Sequence, residues 1–499
     1  MIKRIGLALM TVVPALACAQ PVHVRFDANL RYQTIQNFGA SDAWSCQFVG
    51  GWPEAKREAI ADWLFSTDTL ADGSPKGIGL SLWRFNIGAG TAEQGAASGI
   101  RDDWRRTPAF ANTTGPTPRR DAQFWFIKAA AHRGVQQFLG FFNSAPPAYT
   151  VNGKAYADKG QPNLDSAHFD AVATYAVDAL HLTQQATGVH VNYLSPVNEP
   201  QWDWSDGSQE GSPYTNDAVA SLCRALDRSI RRSDLRVKLI TPEAGHLKYL
   251  LGDDDKPGRG NQIAVLFQPA STSYIGNLPT LMNAVAAHGY FTTSPASAAV
   301  DIRRRVKDCV ATIPGLQYWM TEYCILGDNG GEIDGRGRDT GMNSALYVAR
   351  VIHDDLVEGN ASAWHWWLAL SPYNYKDGLI YVSKTPSDGD YHDTKLLWAF
   401  GNYCRFVRPG MQRMAVETDT CPGLSVSGFT EKDARRKVLV FVNSDSVERT
   451  VLLDGRYAGT ITVYTTDQNH TLKKSKAGGK QLTIPARSIV SAVLSSQTR

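Results

Sequence analysis

The sequence predicts an α/β fold, a (β/α)8 barrel with an appended antiparallel side β-sandwich. Two patterns lead there. Between about residues 38 and 400, eight short apolar runs end near Gly39, Asn86, Asn143, Asn198, Glu243, Thr293, Glu322 and Trp367, and most are separated by amphipathic segments of helical period. Eight strand-then-helix repeats is the number that closes a TIM-type barrel of parallel strands. Past about Phe400 the pattern changes to short alternating runs bounded by turn residues, as in an antiparallel sandwich.

The elements follow in order. Met1-Ile2-Lys3-Arg4, an apolar stretch from Ile5 to about Ala17 and then small residues read as a signal peptide over residues 1–19, with cleavage after Ala17 or Ala19. The expected location is secreted or periplasmic, with a lipid anchor on Cys18 as the alternative. No later apolar run approaches the roughly 18 residues of a membrane span. Residues 20–37 include a strand, Val22 to Phe26, with no barrel partner, and are assigned to the sandwich. The barrel takes residues 38–400. Within it, helices are expected at Glu54 to Phe65, at Ala122 to Arg133 before Gly134, at Phe169 to Thr187 before Gly188, and at Ala218 to Arg232. The sixth unit, around Gly289 to Pro295, carries the weakest pattern. The sandwich takes residues 401–499, with strands at Leu424 to Gly428, Lys437 to Asn443, Thr450 to Leu453, Thr460 to Thr465 and Ser488 to Leu494.

Composition narrows the function classes. A hydrophobic share of 43% over 499 residues is ordinary for a folded protein. A formal charge of +3 without long basic runs provides no footprint for nucleic acid or an anionic membrane. The short cluster Arg303-Arg304-Arg305 reads as a solvated helix face. Seven cysteines without C-x-x-C spacing exclude a disulfide scaffold and a structural zinc; Cys404 and Cys421 are placed to close one local loop, and Cys324 reads as a buried barrel cysteine.

Two glutamates carry the chemistry. Glu199, in Asn198-Glu199-Pro200, and Glu322, in Trp319-Met320-Thr321-Glu322-Tyr323, each close an apolar run, after the fourth and seventh barrel strands. Carboxylates at strand ends of such a barrel sit where reactions occur. Facing each other, one protonated and one ionised, they would form the acid and nucleophile of a retaining glycosidase. Arg84 is a charge inside a strand buried on both sides, and such a charge requires an anion. Glu322 is the simplest partner, and a structural pair with Asp42 or Glu243 is the alternative. Aromatic residues crowd the same strand ends: Trp44, Trp83, Trp202, Trp204, Tyr323, Trp364, His365, Trp366 and Trp367. A mouth lined this way suits the flat C–H faces of a saccharide. Alternation sends two of the run Trp364 to Trp367 inward and two toward the helices.

These features together, with Arg84 in Arg-x-Asn-Ile-Gly, Phe38-Gly39-Ala40 opening the barrel, and the appended sandwich, resemble glycoside hydrolase family 30 of clan A. The resemblance covers nearly the whole chain after the signal. It implies a retaining mechanism, Glu199 as acid/base, Glu322 as nucleophile and Asn198 as partner of the sugar 2-hydroxyl. Asn143-Ser144 stands where glucosylceramidases and glucuronoxylanases usually carry a tryptophan after Ser-Pro. The long Gln201 to Tyr214 loop and the Phe38 to Trp44 opening look closest to the endo-β-1,6-galactanase-like branch. The expectation is a secreted endo-β-1,6-galactanase, with β-1,6-glucanase, xylanase or an exo-acting β-glycosidase as enzyme alternatives. A catalytically silent carbohydrate-binding protein is the non-enzyme alternative. Substrate contacts are expected from Arg84, Asn198, Asn143, Asp42, Trp44, Trp202, Tyr323, Trp364 and Trp366. The partner is a polysaccharide or oligosaccharide, and no metal or organic cofactor is expected, because side chains supply acid, base and nucleophile.

Overall fold

The computed structural model describes residues 20–111, 116–454 and 459–496. The proposed signal peptide and Cys18 lie outside the described residues. Eight parallel strands close a barrel: β2 (Asn37–Ser41), β3 (Leu82–Asn86), β4 (Gln137–Phe141), β5 (Tyr193–Ser195), β6 (Lys238–Ala244), β7 (Leu281–His288), β8 (Gln317–Tyr323) and β9 (Ala363–Trp366). Pairing of Phe38 with Trp364 and Gly39 with His365 joins β2 to β9 and closes the ring. The sixth strand ends at His288, earlier than the Thr293 the apolar run suggests, because the chain leaves the barrel at Gly289.

Helices α1 (Glu54–Phe65), α2 (Pro118–His132), α3 (Phe169–Thr187), α4 (Asn216–Arg232), α5 (Ala296–Ala311) and α6 (Met342–Val357) pack outside the strands. In α3 the buried residues Val172, Ala173, Ala176, Ala179, Leu180 and Thr183 recur at helical spacing. Gly188 ends that helix at φ +71°, a conformation that favours glycine. Thr215 caps α4 by accepting the Ala218 N–H at 3.2 Å. Inside the barrel, Ile240, Ala284, Ala286, Trp319 and Ala363 form an apolar plug, and above it polar residues replace apolar ones. Among the described residues, no helix is long and apolar enough to cross a membrane.

Past β9 come three short strands and α7 (Lys395–Cys404), then the side domain. The N-terminal strand β1 (Val22–Thr34) pairs antiparallel with β10 (Gln412–Thr418) and parallel with Arg449–Asp454. Nine strands thus form one hydrogen-bonded series, mostly antiparallel. Val22, Val451 and Leu482, from one end of that series, share a core with Phe441, Ile461 and Val490 nearer the other, so the series folds over itself as a sandwich. Asn402 of α7 ties it to the barrel by donating to the Tyr464 carbonyl (3.0 Å) and to Ser491 Oγ (2.9 Å).

Two sequence expectations are corrected here. Arg303 is fully buried, donating from Nε to Asp355 at 2.7 Å and from Nη1 to the Thr292 carbonyl at 2.7 Å, while its neighbour Arg304 pairs with Glu358 at the surface. The long guanidinium stem reaches from α5 to the Asp355 carboxylate of α6, which no local pattern reveals. Cys404 and Cys421 form no disulfide; the Cys404 thiol faces the barrel and donates to the Ile78 carbonyl at 3.1 Å.

Candidate active site

The fourth strand stops at Ser195, and Pro196-Val197-Asn198 carries the chain to Glu199, whose φ of +43° lies in the left-handed region. A non-glycine residue stays there only when its surroundings hold it. Three hydrogen bonds do so: Glu199 N–H donates to the Glu243 carbonyl (2.9 Å), and its own carbonyl accepts from Trp202 N–H and from Trp204 Nε1, both at 3.1 Å. Glu243, the last residue but one of β6, has φ +56°. Glu322 lies on β8, directly paired in register with His288 of β7.

These groups form one lattice of charge. Arg84 Nη1 donates to Glu322 Oε2 at 2.6 Å; its Nη2 lies 3.5 Å from Asn198 Oδ1 and 4.0 Å from Glu243 Oε2. The guanidinium sits 3.8 Å over the Phe141 ring. The Tyr290 hydroxyl donates to Glu322 Oε1 at 2.9 Å. His288 bridges the rest, with Nδ1 at 2.8 Å from Glu199 Oε1 and 3.5 Å from Glu322 Oε1, and Nε2 at 3.0 Å from Glu243 Oε2. Glu243 also accepts from Ser195 Oγ (2.6 Å) and from the Thr321 hydroxyl.

The surroundings separate the carboxyl groups. Burial lifts Glu199 to about 7, against the opposing pull of the His288 hydrogen bond and charge. Burial acts on Glu243 in the same direction, but the His288 hydrogen bond and the Arg84 charge outweigh it and bring the group to about 2. For His288, burial favours the neutral ring; the Glu322 charge and the bonds to Glu199 and Glu243 overcome that and raise it to about 10. The imidazole is therefore a cation at neutral pH that donates from both nitrogens. Oxygens of Glu199 and Glu322 and a His288 ring nitrogen all lie within 4.8 Å of one another. That trio has metal-ligand spacing, and His288 spends both ring nitrogens on hydrogen bonds to Glu199 and Glu243. A carboxylic acid beside a carboxylate at this spacing can deliver a proton to a leaving oxygen and present negative charge to the carbon behind it. Retaining pairs stand about 5 to 5.5 Å apart, whereas inverting pairs need about 6.5 Å or more.

Both glutamates and Asn198 open into a cavity of about 380 Å³ walled by Trp202, Trp204, Phe291 and Trp367. Arg84 lies beside it. Trp44 stands one layer back, edge-on to Trp367 at 5.3 Å. Asn143 is buried past the end of β4 with neither amide atom bonded among the described residues, and Asp42 is buried supporting the Asn86 N–H (2.8 Å) and Gln123 (3.0 Å).

Three of the residues expected at the substrate face away from the cavity. Trp364 donates to Asp355 Oδ2 (2.9 Å), Trp366 stacks on it and donates to the Asp377 carbonyl (2.9 Å), and the Tyr323 hydroxyl bonds Thr293 (3.2 Å). The two-residue period of β9 sends His365 inward, to Asn37 at 2.6 Å, and leaves Trp367 to form the cavity wall. Sequence reasoning missed His288, Tyr290, Phe291 and Gln209. The string His288-Gly289-Tyr290 was the available signal, concealed by placing the strand end at Thr293.

Comparison with known proteins places the chain in a family. The model of O-glycosyl hydrolase family 30 matches residues 21–381. An endo-beta-1,6-galactanase from Hypocrea rufa is 21% identical over 458 residues, spanning 88% of this chain and 86% of that protein. The glucuronoxylanase XynC of Bacillus subtilis is 24% identical over 359 residues, 69% of each chain. Among solved structures, a conserved exported protein from Bacteroides fragilis superposes with a TM-score of 0.87 at 34% identity, over 94% of this chain and 100% of that one. The chain belongs to glycoside hydrolase family 30 and is a retaining O-glycoside hydrolase of the β-glycan type.

Proposed function

We propose that the protein is an exported endo-acting β-1,6-galactanase, with Glu199 as acid/base and Glu322 as nucleophile. The observation that carries the roles is the difference in surroundings: a carboxyl that burial lifts to about 7 lies beside a second one that accepts hydrogen bonds from Arg84 and Tyr290. The galactan assignment rests on likeness along 88% of the chain to a relative with that activity.

In the first step Glu322 attacks the anomeric carbon as Glu199 gives its proton to the departing glycosidic oxygen, forming a glycosyl-enzyme ester and releasing the leaving chain. In the second step the Glu199 carboxylate takes a proton from water, the resulting oxygen attacks the same carbon, and the ester bond to Glu322 breaks. Asn198, in the cavity and 3.5 Å from Arg84, would accept or donate to the 2-hydroxyl. Trp202, Trp204, Phe291 and Trp367 supply ring faces for the sugars. His288 donates to one oxygen of Glu199 and so leaves the other to carry the transferable proton.

The test is a product assay with the purified protein and its Glu322→Ala variant on β-1,6-galactan, β-1,6-glucan and glucuronoxylan. Oligomers released from galactan by the wild type alone are expected. Release from glucan or xylan only would replace the substrate, and oligosaccharide binding without hydrolysis, unaltered in Glu322→Ala, would overturn the catalytic reading.

A further inference from the structure

A second cavity, of about 520 Å³, opens where the barrel meets the sandwich. Thr67, Thr69 and Pro75 form one wall. They lie in the connection from α1 to β3, hence at the strand-start end of the barrel, opposite the catalytic mouth. Strands of the sandwich bring Tyr464 and Arg436, and the end of α7 brings Arg405 and Arg408.

Three guanidinium groups therefore share one hollow, and their protein acceptors are almost all neutral. Arg405 donates to the carbonyls of Ser66 (3.0 Å), Thr67 and Asp68 (3.1 Å), Arg408 to those of Cys404 (2.8 Å) and Gly79, and Arg436 to that of Phe406 (2.9 Å). Among the described residues the only carboxylate within 4.0 Å of the three is Glu431, 3.8 Å from Arg436. Each of these bonds uses terminal nitrogens, and Nε and Nη2 of both Arg408 and Arg436 have no acceptor among the described residues. Burial, then the charge of Arg408, pulls Arg405 below its ordinary value; burial likewise lowers Arg408 and Arg436. Partly desolvated cations that repel one another, with N–H groups to spare, favour an oxyanion. The rest of the wall suits a sugar. The Tyr464 ring, 4.3 Å from Phe406, offers a flat apolar face, and Thr67 and Thr462 offer hydroxyls.

We propose that this cavity is a binding site for a uronic acid group, its carboxylate on Arg408 and Arg436 and its ring against Tyr464. The site is separate from the catalytic cavity and independent of which linkage the enzyme cleaves. It would hold an acidic branch of a polysaccharide on the far side of the barrel.

Calorimetric titration of the full-length protein with glucuronic acid tests it, with glucose and inorganic phosphate as parallel probes. Saturable glucuronate binding is expected, with none for glucose. Arg436→Gln should weaken it about tenfold, the worth of a charged hydrogen bond. Glu431→Gln, which removes the competing carboxylate, should tighten it. Hydrolysis should be unchanged in both variants, which confirms folding; were Arg436→Gln to unfold, the tightening by Glu431→Gln still decides. Binding indifferent to both substitutions would put the sugar elsewhere and overturn the site. Binding of phosphate without glucuronate, or of glucose as tightly as glucuronate, would overturn the assignment of ligand.

Discussion

Arg84 and Arg303 are both fully buried arginines, each with a close carboxylate, and only Arg84 borders the proposed catalytic centre. Arg303 joins two helices outside the barrel: Asp355 accepts from it at 2.7 Å and is closed off by the Trp364 indole at 2.9 Å. Arg84 holds Glu322, whose other oxygen faces Tyr290 and the cavity, and it lies near Glu243 and Asn198 besides. The first pair is sealed, whereas the second borders a space where charge can develop. Burial of a cation therefore indicates a partner, and it takes the openness of that partner to indicate chemistry.

Substitutions can separate the two pairs. The largest effect is expected at Glu322 itself: Glu322→Ala should lower kcat by roughly four to six orders of magnitude, the range for loss of a nucleophile, in an assay on the cognate glycan, with the folded state intact by circular dichroism. Arg84→Met and Arg303→Met come next. Each removes the guanidinium partner of a buried carboxylate and should cost up to about 3–5 kcal/mol of stability by urea unfolding, less for Arg84→Met because Glu322 keeps Tyr290 and His288 beside it. Below the transition, however, only Arg84→Met should depress kcat, by roughly 10²–10³-fold, the scale of a lost electrostatic contact in the transition state. Equal kcat losses in the two variants would dissolve the distinction.

Smaller effects lie in pH profiles. Because Glu199 titrates at about 7 and must be protonated to act, kcat/KM should fall as pH rises through about 7. His288 contributes a hydrogen bond and a charge that both pull Glu199 down, so His288→Asn should move that basic limb to higher pH while lowering the maximum rate. A limb that stays in place would remove His288 from the control of the acid. The weakest signal is in stability. The folded-state value of Glu243 lies below its ordinary 4.5, so its contribution is fully present above 4.5 and fades as pH falls toward 2. Glu243→Gln should flatten that acid limb in urea titrations between pH 5 and about 2.

The sequence made some of this legible and hid the rest for physical reasons. Glu199 and Glu322 stood out because a carboxylate that ends an apolar run breaks a strong pattern. Arg84 stood out because it interrupts one. His288 did not, since aromatic and small residues continue through Tyr290 and Phe291 and blur where β7 ends. In Trp364-His365-Trp366-Trp367 every residue is bulky, so a period of two has no polarity contrast to orient it, and the inward and outward members emerged only from the strand pairing. The sandwich strand Lys473–Lys476 is wholly exposed and polar, which leaves no hydrophobic signal. Asp355 lies 52 residues from Arg303, so nothing local distinguished that side chain from its solvated neighbours.

The His288 bridge has one more consequence. In the proposed mechanism, with Glu199 as the acid and Glu322 as the attacking carboxylate, the centre sets two cations, Arg84 and His288, against two anions, Glu243 and Glu322, and sums to zero. A neutral sugar thus enters a cage whose formal charges sum to zero. When the acid gives up its proton to the leaving oxygen, the charge appears 2.8 Å from an imidazolium already in place. In the proposed step Glu322 loses its charge to the ester as Glu199 gains one, so the formal charge of the cage stays at zero while Arg84, His288 and Glu243 keep theirs.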